Sequence, residues 1–113
     1  VGKPVAAWLK ERGARVETVS LGTEERMRAL TEEADIVVSG AGVPRLITPE
    51  LVKDGVVLID AGTSESEGKL VGDIDPACAE KAALYTPVPG GVGPMTVAVL
   101  FRNLLELALT HNV

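Results

Sequence analysis

The chain has 113 residues and a net charge of −5, with 46% hydrophobic and 24% charged residues. This length fits one domain, with a core that needs no metal or disulfide. The negative charge and the lack of a basic run exclude nucleic acid and anionic membranes as main partners. No stretch approaches the roughly 18 apolar residues of a membrane span. A single cysteine, Cys78, cannot form an internal disulfide, so we expect the protein in the reducing cytoplasm.

The chain begins abruptly. Val1-Gly2-Lys3-Pro4 runs directly into an amphipathic segment, with no initiator methionine and no strand before it. We therefore expect a fragment, or a chain whose upstream part is missing. Pro4 suits the first position of a helix, which Gly13 should end. Alternation over Arg15–Ser20 then predicts a short strand.

A second helix is expected to begin after a capping Thr23 and to run through Ala34, with Glu24 and Glu25 in its first turn. Met27, Leu30 and Ala34 then share one face.

Short apolar runs predict the strands of the core. Asp35–Ser39 and Val56–Ile59 are bounded by turn residues, which is typical of strands buried on both faces. Leu84–Tyr85 is expected to form the last strand. Proline-containing helix starts lie between these strands, at Thr48–Glu50 and at Asp75-Pro76, the second helix reaching about Ala82.

The longest predicted helix is Thr96–Thr110, capped by Thr96. Its apolar residues repeat with helical spacing and form one stripe: Val97, Leu100, Leu104, Leu107 and Ala108.

Strands that alternate with helices predict an α/β fold: a three-layer, Rossmann-like domain over residues 1–113 with a mostly parallel sheet and helices on both faces. Because no strand precedes the first predicted helix, we expect the sheet of this chain to lack its first strand. Ligands of such sheets bind beyond the carboxyl ends of the strands. Three loops rich in glycine and small residues follow predicted strands there, at Ser39–Pro44, Asp60–Ser64 and Thr86–Thr96. They favour a nucleotide site, although ordinary α/β loops have a similar composition.

Residues near the first two elements are candidates for phosphate and ribose contacts. Gly2 lies at a helix N-terminus, where free N–H groups suit a phosphate and Lys3 adds charge. Ser20 and Thr23 offer hydroxyls where a ribose or 2′-phosphate would lie, with Arg26 and Arg28 just beyond. An acidic residue there would favour NAD. Its absence favours NADP, but hydroxyl caps also suit any helix start.

The two central loops offer main chain to a cofactor. Gly40-Ala41-Gly42 removes side chains where a strand ends, and Asp60-Ala61-Gly62-Thr63 does the same one strand over. For Asp60 we expect a structural role, accepting backbone N–H groups of a buried loop.

The segment Thr86-Pro-Val-Pro-Gly-Gly-Val-Gly-Pro-Met-Thr96 is the most specific feature of the chain. It places three prolines and three glycines before a long helix, which indicates a loop built to hold one unusual shape. The N–H groups of Gly90, Gly91 and Gly93 are expected to face a ligand.

Residues 87–96 resemble the signature of the methylenetetrahydrofolate dehydrogenase/cyclohydrolase family. Three further segments are similar: Val-Gly-Lys-Pro at 1–4, Ala-Asp-Ile-Val-Val at 34–38 and Gly-Lys-Leu-Val-Gly-Asp at 68–73. The likeness runs through the whole chain and corresponds to the cofactor domain of that family. The catalytic N-terminal domain of the family has no counterpart in this chain.

The resemblance implies oxidation of 5,10-methylenetetrahydrofolate with NADP, NAD being possible, and hydrolysis of the methenyl product to 10-formyltetrahydrofolate in one-carbon metabolism, including purine biosynthesis. It also implies a homodimer, no metal site and no catalytic residue in this chain. The implied cofactor-binding residues are Gly2, Ser20, Gly40, Ala41, Gly42 and Thr63. The implied substrate-binding residues are Pro89, Gly90, Gly91, Val92 and Gly93.

The chain departs from the family pattern at two places. The usual Cys-His-Ser is Thr18-Val19-Ser20, and the usual Gly-Ile-Asn after Asp60-Ala61 is Gly62-Thr63-Ser64. Two alternatives differ in kind. One is another dehydrogenase of similar fold, such as a shikimate dehydrogenase-like or glutamyl-tRNA reductase-like domain, against which residues 87–96 argue. The other is a stand-alone protein that binds a nucleotide or a partner without catalysis.

Overall fold

A computed structural model describes residues 2–20 and 22–111. Its elements in chain order are α1 (Gly2–Glu11), α2 (Glu24–Glu33), β1 (Ile36–Ser39), a 3₁₀ helix (Pro49–Leu51), β2 (Val57–Asp60), β3 (Ser64–Ser66), β4 (Lys69–Val71), a second 3₁₀ helix (Pro76–Glu80), β5 (Leu84–Tyr85) and α3 (Val92–His111). The predicted α/β architecture is confirmed.

A parallel sheet with the order β1-β2-β5 organises the domain. Ile36 pairs with Val57 and Ser39 with Asp60, while Leu58 pairs with Tyr85. Because the strands are parallel, the loops after β1, β2 and β5 leave the sheet at the same edge. The three predicted ligand loops therefore lie at one edge, as expected from the sequence.

The core lies on one face of the sheet and beneath the loops beside it. It is built from Val37, Ile47, Val52, Val56, Leu58, Ile74 and Cys78. Met27 and Ala34 of the second helical segment pack against it, which agrees with the predicted apolar face. Val56, Leu58 and Cys78 are completely buried.

The predicted strand at Arg15–Ser20 is wrong: the structure has no strand there. A strand needs a neighbour for its backbone hydrogen bonds, and the described residues supply none beside it. Instead, a groove of about 480 Å³ lies between this segment, α1, α2 and β1. On this side β1 is an edge strand of the described sheet, so Ile36 is 55% exposed rather than buried as predicted.

Several predicted helix ends differ in detail. α1 begins at Gly2, so Pro4 is its third residue rather than its first. The Thr23 side chain does not cap α2, because its hydroxyl donates to the Ser20 carbonyl (2.7 Å). The segments at Pro49 and Pro76 form tighter 3₁₀ turns that end sooner than the predicted helices. The Asp75 carboxylate does cap the second, accepting from the Ala77 N–H (3.0 Å).

The hairpin β3–β4 is not among the predicted elements. Its strands pair antiparallel across Glu67 and Gly68, both with positive φ. The strands are too short and polar to give an apolar alternation, which is the usual signal of a strand in a sequence.

The last helix, α3, begins at Val92, four residues before the predicted start. Thr96 therefore lies in its second turn and donates to the Val92 carbonyl instead of capping. No residue of α3 is buried, and its apolar stripe is exposed, with Leu100 at 65% and Leu104 at 61%. The periodicity predicts a face that needs a partner, but it does not supply one.

By length and composition alone, α3 is long and apolar enough to cross a membrane: it has 20 residues and a mean hydropathy of 1.4. From the sequence we expect no stretch of roughly 18 apolar residues; α3 contains no such uninterrupted run, yet its length and mean hydropathy are those of a possible span. In α3 a few polar residues interrupt a largely apolar helix. Two of these, Arg102 and Glu106, form an i,i+4 ion pair (3.9 Å), which is costly in the middle of a bilayer.

Candidate cofactor and substrate site

The groove beside β1 brings together four of the six residues predicted to bind the cofactor: Gly2, Ser20, Gly40 and Ala41. Gly2 is the first described residue of α1, at the end where backbone N–H groups have no intrahelical acceptor. A side-chain carbon on Gly2 would meet no atom within 4 Å, so the helix end is open to a ligand. These features suit the pyrophosphate of a dinucleotide.

Gly42 and Thr63 do not line this groove. Both are exposed in the loops after β1 and β2. The φ of Gly42 is 72°, a conformation that favours glycine. Its carbonyl accepts the Ser64 hydroxyl (2.9 Å), which joins the two loops. Gly42 and Thr63 therefore flank the groove at the same edge of the sheet.

The motifs at 1–4 and 20–23 include Val1 and Leu21, which lie outside the described residues. On α2, Arg26 faces the 15–20 segment, with its guanidinium 3.6 Å from the Glu17 carboxylate. Arg28 instead pairs with Glu32 on α2 at 2.9 Å. Only Arg26 is therefore placed beside the segment that carries Ser20, which is exposed on the groove.

The side chain of Asp73 holds the loop after β1 through hydrogen bonds. The Asp73 carboxylate accepts the Ser39 hydroxyl (2.7 Å), the Ala41 N–H (2.7 Å) and the Val43 N–H (3.0 Å). Because the Ala41 amide points into the protein, Ala41 can meet a cofactor only through its carbonyl or methyl group. Asp73 was not among the predicted site residues, since nothing local in the sequence distinguishes it from other acids near turns.

Asp60 has the structural role predicted for it. Its carboxylate accepts the N–H groups of Gly62 (3.0 Å), Asp73 (3.1 Å) and Ile74 (2.9 Å), and Asp60 is 1% exposed. Its own N–H donates to the Thr86 hydroxyl (2.9 Å). The Asp60 side chain thus holds the loops after β2 and β4, and its backbone N–H holds the loop after β5.

A second groove of about 510 Å³ lies between α3 and the sheet. Residues of α3 from Val92 to Asn103 supply most of its lining, together with Ile59, Thr86 and Gly91. Of the five residues predicted to bind substrate, only Gly91 and Val92 line this groove, whereas Pro89 and Gly90 are exposed beside it.

Two glycines of the loop before α3 differ in their surroundings. The φ of Gly90 is 103°, and a side-chain carbon on Gly91 would lie 2.5 Å from the Pro87 carbonyl oxygen. Gly93 lies in the first turn of α3. The N–H groups of that turn have no intrahelical acceptor, as a ligand-facing loop requires.

Two other residues with potentially reactive side chains, Cys78 and Lys81, are packed or hydrogen-bonded within the fold. Burial raises the pKa of the Cys78 thiol, so it stays protonated and is not a nucleophile. The Lys81 ammonium is half-buried, and it donates to the carbonyls of Pro49 (2.9 Å) and Val52 (2.7 Å). Within residues 2–20 and 22–111 no group of His, Cys, Asp and Glu has a metal-site arrangement.

Residues 1–112 match the family model of the tetrahydrofolate dehydrogenase/cyclohydrolase NAD(P)-binding domain. The chain belongs to this family. The bifunctional protein FolD of Lactobacillus acidophilus is 48% identical over 113 residues, which cover 99% of this chain and 40% of that protein. The FolD of Thermus thermophilus is 44% identical over 112 residues, 99% of this chain and 39% of that protein.

Two solved structures of the family have the same fold as the chain. The bifunctional FolD of Campylobacter jejuni superposes with a TM-score of 0.93 at 39% identity, covering 98% of this chain and 40% of that one. The Trypanosoma brucei FolD, crystallised with NADP and an inhibitor, has a TM-score of 0.85 at 42% identity, covering 92% and 38%. The chain therefore spans about 40% of the length of the relatives that it matches.

Proposed function

We propose that this chain is the cofactor-binding part of an NADP-dependent 5,10-methylenetetrahydrofolate dehydrogenase with methenyltetrahydrofolate cyclohydrolase activity. The observation that carries the proposal is the convergence of Gly2, Ser20, Gly40 and Ala41 on one groove at the carboxyl edge of a parallel sheet. The NADP-bound relative from Trypanosoma brucei supports the choice of cofactor. The products would serve one-carbon metabolism, including purine biosynthesis.

Two parts of the groove offer groups that suit a dinucleotide. The α1 N-terminus offers free N–H groups to phosphates, and main chain without side chains lines the end of β1. A bound NADP would supply the hydride acceptor for oxidation of the methylene carbon of the folate, and the groove residues Gly2, Ser20, Gly40 and Ala41 would hold it. The residues of this chain bind and orient its nicotinamide ring, and the proposed catalytic groups lie in the domain that holds the folate.

The substrate is proposed to meet the chain at Pro89–Gly93. This segment stands beside the groove that Gly91 and Val92 line, at the same edge of the sheet as the loops that follow β1 and β2. Its role is to form one wall of the folate site.

We also propose a second domain, a homodimer and a cytoplasmic location, and α3 supports the first two. Its exposed apolar residues need a covering surface, and the Arg102–Glu106 pair favours protein over lipid as that surface. We therefore propose no membrane partner. Because the net charge is −5, we also propose no nucleic-acid partner.

The decisive experiment is a titration of the complete protein with NADP and with NAD in the absence of folate, followed by an assay with 5,10-methylenetetrahydrofolate. We expect cofactor binding without folate and reduction of NADP with it. Binding of neither nucleotide contradicts the cofactor role. Binding without turnover supports the alternative of a nucleotide-binding protein without catalysis and contradicts the proposed enzyme.

Arg26→Ala tests the choice of NADP. If the guanidinium beside the 15–20 segment meets the 2′-phosphate, the substitution should raise the Kd of NADP about tenfold and that of NAD less than twofold. Arg28→Ala is the matched control, because Arg28 pairs along α2 with Glu32, whereas Arg26 faces the 15–20 segment that carries Ser20. An equal loss for both nucleotides rules out the phosphate contact.

A further inference from the structure

Two carboxylates, Asp60 and Asp73, are 1% and 0% exposed. None of the ion pairs found among residues 2–20 and 22–111 involves either of them. Each carboxylate instead accepts three hydrogen bonds from N–H or O–H groups. A buried carboxylate without a cation is costly unless such donors surround it, so both acids depend on these hydrogen bonds to stay buried.

The two acids form a chain of contacts from the sheet to the loop after β1. Asp60 ends β2 and holds the backbone N–H of Asp73 and that of Ile74. The side chain of Asp73 then holds Ser39, Ala41 and Val43. The position of the Gly40–Ala41 backbone along the groove is therefore fixed by a residue more than 30 positions away in sequence.

Close packing keeps these carboxylates in place. A side-chain carbon at Gly62 would overlap the Asp73 carboxylate, and one at Gly72 would overlap that of Asp60. The two glycine backbones thus lie directly against the two acids. We infer that this close packing helps to hold the loop after β1 in the arrangement seen without a ligand.

We propose that Asp73 is a positioning residue for the nicotinamide cofactor, acting through the Ser39–Val43 backbone. By drawing the amides of Ala41 and Val43 inward, it sets the path of the main chain along the groove before the cofactor arrives. Preorganisation of this kind lowers the cost of ordering a loop on binding. The inference rests on the proposed cofactor role of Gly40 and Ala41.

A purely structural role predicts a different outcome, and graded variants separate the two. Asp73→Asn replaces one accepting oxygen with a donor, which leaves at least one of the loop N–H groups without an acceptor. Ser39→Ala removes one of the three bonds and leaves the carboxylate in place. Val52→Ala is the control: it destabilises the core, where Val52 is 3% exposed, and Val52 is not part of the loop after β1 or of the hydrogen bonds of the two acids.

The experiment measures, in the complete protein, the Kd of NADP, the KM of the folate substrate and the labelling rate of the buried Cys78 thiol as a local measure of stability. We expect Asp73→Asn to raise the Kd of NADP about tenfold and Ser39→Ala about threefold, with the folate KM changed less than about twofold. Val52→Ala should speed Cys78 labelling without changing the Kd.

Two results would overturn the inference. One is an unchanged Kd in both loop variants while they remain folded; if Asp73→Asn does not fold, Ser39→Ala decides alone. The other is a rise in Kd for Val52→Ala that matches the loop variants at equal stability, since the loss would then follow stability and not position. If the unsubstituted protein binds no nucleotide, the proposed function itself fails, and the inference fails with it.

Discussion

Gly91→Ala should reduce the dehydrogenase activity of the complete protein about 100-fold and lower the stability of this domain. The added methyl group would lie 2.5 Å from the Pro87 carbonyl oxygen and 2.9 Å from the Thr86 Cβ. One contact is with the backbone, which cannot rotate away as a flexible side chain can. The loop must therefore shift, and with it the wall that we propose for the folate site.

Gly93→Ala distinguishes loop geometry from ligand contact. Gly93 lies two residues further on, in the first turn of α3, and a side-chain carbon there would meet no atom within 4 Å. Alanine should therefore leave the melting temperature unchanged or slightly raised. Any loss of activity in Gly93→Ala must then come from the ligand, as an increase in the folate KM. Equal loss of stability in both variants would contradict the structural explanation for Gly91.

Asp60→Asn should lower the free energy of unfolding of this domain by about 3 kcal/mol. The amide can keep one accepting oxygen, but its NH₂ group must face at least one of the three backbone N–H groups that the carboxylate serves. Ile74 is 2% exposed, so water cannot replace a lost acceptor at that position.

Cys78 provides the measurement, because it is completely buried and is the only cysteine of this chain. The rate at which its thiol is labelled under native conditions reports the opening of this core even in a protein with further domains. Asp54→Asn is the control: Asp54 is exposed in a turn, and its change should stay within about 0.5 kcal/mol. Equal labelling rates in Asp60→Asn and the unsubstituted protein would show that Asp60 does not hold these loops together.

The sequence determines the local elements wherever the signal is itself local. The apolar runs that became β1 and β2 sit between turn residues, and Gly13 ends α1 with a φ of 86°. The loop at 86–96 needs no neighbour to reveal itself, because its prolines and glycines restrict the backbone directly. The family and the position of the candidate site followed from these features.

Signals that depend on a neighbour were misleading or absent. Residues 15–20 alternate like a strand, but a strand forms only beside another, and the described part of the chain offers none there. The stripe on α3 is regular, yet its residues remain exposed because periodicity specifies a face and not its partner. The hairpin β3–β4 carries too few apolar residues to be predicted.

Only the tertiary structure decided the role of Asp73. In the sequence it is one of several acids close to turns, whereas Asp60 at least ends a recognisable apolar strand. Three hydrogen bonds to Ser39, Ala41 and Val43 bring it beneath a loop that is more than 29 residues away in the chain. Local composition therefore fixes which segments are strands, helices and special loops. Which distant carboxylate a loop rests on depends on how those segments pack, because burial leaves a charge only the donors that surround it.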